Sequence, residues 1–309
     1  MLGDIGATNA RFALLAHGTV SSLTSFDVAR YARFADVVTA FLQGHCQHSE
    51  VAKAVFAVAG PVRGSRCVLT NRSWIVDARE FKEAFGLEVR IVNDFEAVAY
   101  SLPSLAAADL EGIGGGRAEL AAPMAVLGPG SGLGVACLIS GYGKNSVISS
   151  EGGHATLASA NDREDEIIKR LRRRFGHVSA ERLVSGEGLE NIYQAIIEID
   201  GLTLGFRGAA EITKRALESD CRVASEALRL FCAFLGSFAG NVALTFGARG
   251  GVYIAGGISP RIVGFLRQSE FRDRFEAKGR LQSYLKTIPT YVIVHPTAAF
   301  LGLKSLSAL

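Results

Sequence analysis

Residues 125–140 read AVLGPGSGLGVACLIS, with glycines at 128, 130, 132 and 134 set in an otherwise apolar stretch. Glycines this dense let backbone N–H groups approach an anion, most often phosphate. The dinucleotide fingerprint and the P-loop both run from a strand into a helix. Here the loop runs into GVACLI (134–139), a short β-rich run, and no Gly-Lys-Ser/Thr follows. The loop therefore belongs to a strand–turn–strand hairpin, which argues against a nicotinamide cofactor.

A second stretch of the same kind opens the chain. GDIGATNARFALL (3–15) reads strand, glycine turn, strand. Asp4 ends the first strand, Gly6 makes the turn, and Thr8 and Asn9 offer polar side chains. Such a turn can present N–H and hydroxyl donors to phosphate, and Asp4 is placed to hold Mg²⁺ through water. One D-x-G-x-T is also ordinary hairpin chemistry. Two such hairpins, one opening each half, point to two loops clamping one nucleoside triphosphate.

Around these loops the two halves follow one scheme. Strand patterns fall at 1–5, 11–15, 20–26, 53–62 and 88–94, with helical patterns at 31–43, 79–85 and 95–102 and Gly86 as a helix-ending residue. The second half has strands flanking the loop, another at 145–153, helices from 162 to 246, then strands at 250–259 and 290–295. The pattern predicts a duplicated α/β architecture with a cleft between halves. The expected division is a small domain of residues 1–105, completed by a terminal helix over 296–309, and a large domain of 106–295. The Gly/Ala-rich 106–122 is the expected seam.

Composition narrows the class. The 309 residues are 49% hydrophobic, enough for a full core, and a net charge of +3 gives no general reason to invoke nucleic acid or an acidic membrane. Five cysteines form no C-x-x-C pair, so neither a disulfide frame nor a zinc site is expected. Residues 228–246 are long enough to span a bilayer, but they contain Arg229 and Asn241 and their apolar residues follow helical spacing. A buried core helix in a soluble, cytosolic protein is expected. The basic run 167–177 follows Glu164, Asp165 and Glu166, the charge order a helix dipole favours, and reads as a solvated helix.

Asn93-Asp94 ends a buried strand and precedes a helix. Asp94 fits either an N-cap or a general base at the carboxyl end of a strand. Glu151-Gly152-Gly153-His154 closes the strand NSVISS. Its carboxylate and imidazole can read paired hydroxyls, though His154 could equally be a turn residue. Gly256 and Gly257 leave room for a flat base, though a strand-to-helix turn also uses glycine. Glu181 has the pattern of a solvated helix residue.

These segments together resemble the bacterial glucokinases of the proteobacterial and cyanobacterial type, within the actin, hexokinase and heat-shock ATPase superfamily. The matching runs are GDIGATNARFALL, TNRSW, IVNDFEAVAYSLP, GPGSGLGVA, EGGHA, GHVSAERLVSGEGLENIY and GGVYIAGGISPRIV, spread from end to end in order. The resemblance implies two ribonuclease-H-like domains and ATP-dependent phosphorylation of glucose at the 6-hydroxyl. A kinase for mannose or an amino sugar, or a non-catalytic sugar-binding regulator, is the alternative. It also implies Asp94 as base, with Asn93, Asp94, Glu151, His154 and Glu181 on the sugar. ATP and Mg²⁺ would meet Gly3, Asp4, Ile5, Gly6, Ala7, Thr8, Gly130, Ser131, Gly132, Gly256 and Gly257. A homodimer is the family expectation.

The chain departs from the family at a few places. Ala7 stands where glycine is commoner, and Ser131 where threonine is usual. ATLAS after His154 lacks a common acidic residue, and only three residues precede Asp4, which predicts a less stable first strand.

Overall fold

The computed structural model describes residues 1–45, 51–69, 74–141 and 144–308. The chain divides into two compact units. One comprises Met1–Ala106, Val147–Ser149 and His295–Leu309, the other Ala107–Ser146 and Ser150–Val294.

The first unit runs β1 (Leu2–Ile5), β2 (Asn9–Ala16), β3 (Thr19–Asp27), α1 (Phe34–His45), β4 (Lys53–Val58), β5 (Val62–Arg63), β6 (Arg66–Val68), β7 (Ile75–Asp77), α2 (Ala78–Phe85), β8 (Glu88–Asn93) and α3 (Asp94–Ser101). Its main sheet has the order β3-β2-β1-β4-β8, while β5, β6 and β7 form a small separate sheet. Gly86 closes α2 in the left-handed conformation at φ 68°, as its position after a helical run predicts. Of the family-like TNRSW run, Thr70 to Ser73 lie outside the described residues. Trp74 is buried and donates its indole N–H to the Ala32 carbonyl at 3.0 Å.

The chain continues with β9 (Leu110–Gly114), β10 (Met124–Pro129), β11 (Leu133–Gly141), β12 (Lys144–Ser150), α4 (Asp162–Phe175), α5 (Gly186–Ile199), α6 (Ala209–Glu218), α7 (Arg222–Phe246), β13 (Val252–Ile254), α8 (Val263–Gln268), α9 (Phe271–Glu276), α10 (Gln282–Thr287) and β14 (Thr290–Ile293), all in the second unit except Val147–Ser149 of β12. The last helix, α11 (Ala298–Ser307), returns to the first unit. The second sheet has the order β12-β11-β10-β13-β14-β9. Its first five strands repeat the order of the first sheet, so β10 corresponds to β1 and β13 to β4. The duplication expected from the two hairpins is thus present strand for strand.

Two details differ from the sequence pattern. The expected seam at 106–122 contains β9, an edge strand paired antiparallel with β14. The expected strand at 145–153 stops at Ser150, and Gly152–His154 turns as a short 3₁₀ helix.

Strand alternation gives the first sheet two apolar faces. One packs Ile5, Phe12, Phe56 and the aromatic rings of Phe34, Phe41, Trp74 and Phe81. The other packs Leu2, Ala13, Val55, Ala57 and Val92 against Ala97 of α3 and Phe300, Leu303 and Leu306 of α11. The 25-residue α7 is long and apolar enough to cross a membrane, but most of its apolar window is buried in the core of the second unit. Arg229, on its exposed side, pairs with Glu270 at 2.5 Å.

The segment read as a solvated helix is α4, and one expectation about it fails. Arg172, Arg173 and Arg174 face solvent, but Glu164 is fully buried. It receives both guanidinium nitrogens of Arg274, at 2.5 and 2.9 Å, and accepts from the Ala160 backbone N–H and the Asn161 amide. A partner 110 residues away in sequence turned an apparent surface charge into a core ion pair.

Candidate active site

Parallel strands β1, β4 and β8 bring the first unit's candidates to one sheet edge. Asp4 pairs with Ala57, which pairs with Val92; Ile5 pairs with Val58, which pairs with Asn93. The loop after β1 and the Asn93-Asp94 pair therefore leave the same carboxyl-terminal edge, with β4 between them. At the usual strand spacing that separates their strands by about 10 Å. Carboxyl ends of parallel strands are where open α/β sheets place ligands.

Asn93, not Asp94, is the N-cap of α3. Its Oδ1 accepts from the N–H groups of Phe95 at 2.9 Å and Glu96 at 3.3 Å, and its Nδ2 donates to the Gly60 carbonyl at 3.3 Å. Asp94 is the first helical residue, half-buried, with Oδ1 accepting from Phe95 N–H at 3.0 Å. The capping alternative for Asp94 thus passes to its neighbour.

In the first loop Gly6 donates its N–H to the Asn9 carbonyl at 2.9 Å, closing the turn internally. Ala7 and Thr8 form the tip, with Thr8 exposed. Gly3 and Ile5 are buried in β1. A Cβ on Gly3 would lie 2.7 Å from the Phe56 ring and 3.1 Å from Phe12, so packing explains that glycine. Asp4 Oδ2 stands 3.7 Å from Arg11 Nη1 on the neighbouring strand. Burial pushes the Asp4 carboxyl above the usual carboxylate range, and Arg11 opposes that shift only in part. The Asp4 carboxylate and the Thr8 hydroxyl of this loop are both oxygen donors, the kind that suit a hard divalent cation.

The second loop is built in the same way. Gly130 donates its N–H to the Gly132 carbonyl at 2.8 Å, which leaves the N–H groups of Ser131 and Gly132 and the exposed Ser131 hydroxyl at the tip. The Gly130 N–H is therefore engaged inside the turn. The Gly130 carbonyl accepts from the Gly186 N–H at 2.9 Å, tying the loop to the start of α5.

Gly256 sits on the neighbouring parallel strand end with φ +85°, and a Cβ there would lie 2.3 Å from the Pro129 carbonyl oxygen. Only glycine fits that backbone. Beside it opens a cavity of about 530 Å³, lined by Gly130, Gly186, Leu189, Ala209, Gly257 and Arg261, among others. Its walls are small and apolar with a few polar groups, as a flat heterocycle requires. Ala209 and Thr213 of α6, and Arg261, also lie on this wall but were not apparent from the glycine motifs. The one cue in the sequence was the paired alanines opening an amphipathic helix after Gly208.

The turn at 151–154 and Glu181 come together through pairing of residues 155–157 with 178–180. Ala180 N–H donates to Ala155 O at 2.8 Å, Leu157 N–H to Val178 O at 3.3 Å, and Thr156 and Ser179 form an antiparallel bridge. His154 Nδ1 consequently lies 4.0 Å from Glu181 Oε1. Glu181 is not a solvated helix residue. It sits half-buried in a 3₁₀ turn, and its Oε2 accepts from the Leu133 N–H at 2.8 Å. Glu151 and His154 are exposed, and Gly153 is pressed so closely on Leu133 that a Cβ would lie 2.0 Å from its carbonyl oxygen.

A duplicated sheet, with a hairpin loop on the first strand of each copy and candidate ligands at parallel strand ends, is the build of the actin/hexokinase class of phosphotransferases. Comparison with known proteins narrows that class. The model of the Glucokinase family matches residues 1–308. The chain is 46% identical over 309 residues to a glucokinase of Paramagnetospirillum magneticum, covering 99% of this chain and 96% of that one. A glucokinase of Chromobacterium violaceum is 43% identical over 310 residues, covering 100% and 88%. A crystal structure of a glucokinase from an Antarctic psychrotroph aligns with a TM-score of 0.86 at 34% identity, covering 100% of this chain and 98% of that one. The chain belongs to the glucokinase family, and is an enzyme that phosphorylates glucose with ATP.

Proposed function

We propose that Asp94 is the general base of this reaction. Its carboxylate takes the proton of the glucose 6-hydroxyl as that oxygen attacks the γ-phosphorus of ATP. The bond to the β–γ bridging oxygen breaks, and ADP leaves. What carries the assignment is the register that places Asn93-Asp94 at the same sheet edge as the Asp4–Thr8 loop. Because Asn93 caps α3, the helix does not depend on Asp94 for that role.

The residues proposed for the sugar are Asn93, Asp94, Glu151, His154 and Glu181. Carboxylates and imidazole accept and donate as a polyol requires. The tips Ala7-Thr8 and Ser131-Gly132 take the phosphates, and the cavity beside Gly256 and Gly257 takes the adenosine. Asp4 would hold Mg²⁺, which when bound neutralises charge on the phosphate oxygens. Glucose is the small-molecule partner, and the family expectations of a cytosolic setting and a homodimer complete the proposal. Light scattering on the purified protein tests the dimer.

Steady-state kinetics with glucose and MgATP, read by ADP release, test the assignment as a whole. Saturable turnover with both substrates is expected. Sugar binding without turnover would overturn the catalytic assignment of Asp94.

A further inference from the structure

The peptide of Leu133 touches both parts of the sugar-holding set. Its N–H donates to Glu181 Oε2 at 2.8 Å, and its carbonyl oxygen is covered by Gly153 of the 151–154 turn. Next to it, a Cβ on Gly132 would lie 2.5 Å from the same Glu181 oxygen, so a side chain there would displace the carboxylate. Gly130, two residues away in the same loop, has open space around the corresponding position. The two glycines therefore serve different ends, and only one of them is constrained by Glu181.

From this we infer that Gly132 and the Leu133 N–H form the seat of the Glu181 carboxylate, making Gly132 a positioning residue for the sugar as well as part of the phosphate loop. The inference rests on the assignment of Glu181 to the sugar. Segment 181–186 is tied to the loop at both ends, by Glu181 to Leu133 N–H and by Gly186 N–H to the Gly130 carbonyl. Ser185 secures the segment between them, donating its hydroxyl to the Glu181 carbonyl at 2.8 Å and accepting from Gly188 N–H at 3.0 Å. A shift of the loop at 131–133 would therefore move the carboxylate, and loss of the carboxylate would release the Leu133 N–H.

A double-mutant cycle on glucose affinity, measured by calorimetry without nucleotide, tests the seat. Gly132→Ala is expected to weaken glucose binding about tenfold, in the range of coupling that touching residues show. In a Glu181→Ala background the same change should have little further effect. Equal losses in both backgrounds, or no loss from Gly132→Ala alone, would overturn the seat. Wild-type protein that binds no glucose would instead overturn the assignment of the sugar site beneath it. If Gly132→Ala does not fold, hydrogen exchange of Leu133 decides the matter. Its N–H should exchange faster in Glu181→Ala than in wild type and stay protected in Glu181→Gln, which keeps an acceptor oxygen. Unchanged exchange in Glu181→Ala would contradict the seat.

Discussion

Asn93 caps the helix that Asp94 begins, accepting two backbone N–H groups at 2.9 and 3.3 Å. The cap falls on Asn93, and the proposed base is its neighbour Asp94. Asn93→Ala should cost about 1 kcal/mol of stability, the usual loss for an N-cap. Asp94→Ala should cost less while losing far more turnover. Urea melts of the two variants, set beside their kcat values, check the division; a larger stability loss at Asp94 would contradict it.

Asp4 carries a cost that its proposed cation would relieve. Its folded-state carboxyl titrates above the ordinary range because burial penalises the charge. The folded state therefore holds this proton more tightly than the unfolded chain. Its contribution to stability is fully present below the unfolded pKa and is lost as pH rises through the folded value. Asp4→Asn, which never ionises, should melt higher than wild type at neutral pH without metal or nucleotide. The difference should shrink in acid, and the variant should gain less stability from MgATP. Thermal melts across pH, with and without MgATP, read all three effects. A lower melting temperature for Asp4→Asn at neutral pH would reverse the sign.

Glu164 and Arg274 form a buried pair with two guanidinium contacts. Removing one partner leaves a charge in the core, so Arg274→Ala should cost about 3–5 kcal/mol. Replacing exposed Arg173 by alanine should change stability by less than about 0.5 kcal/mol. Chemical denaturation of both variants makes the comparison, and similar losses would place Glu164 back on the surface.

Ser259 follows the Gly256-Gly257 turn and is fully buried, and its hydroxyl has no hydrogen-bond partner among the described residues. A buried hydroxyl left unsatisfied costs about 1–3 kcal/mol. Ser259→Ala should therefore leave stability unchanged or raise it, as differential scanning calorimetry would show. A clear loss would mean that the hydroxyl is satisfied in solution.

The features legible in the sequence were those written in local chemistry. Glycine spacing in GPGSGLG and GDIGATNAR identified two hairpin loops, and the missing helix after Gly134 separated them from a dinucleotide fold. Gly86 was legible as a helix end because a left-handed residue there favours glycine. Glu181 was not, because its position depends on the pairing of 155–157 with 178–180, a contact between distant segments. The burial of Glu164 is hidden for the same reason, since nothing near it in the chain announces Arg274. β9 was hidden by its own glycines, which look like a linker until β14 pairs with them. Gly3 shows the converse. It belonged to a phosphate-loop motif by sequence, yet the rings of Phe12 and Phe56 account for it.

The most direct test of the mechanism is Asp94→Asn, which keeps the size of the side chain and removes its basicity. Turnover with glucose and MgATP should fall by about 10²–10⁴-fold, the usual contribution of a general base. Glucose affinity by calorimetry should stay close to wild type. Near-normal turnover in this variant would contradict the assignment of Asp94 as the base.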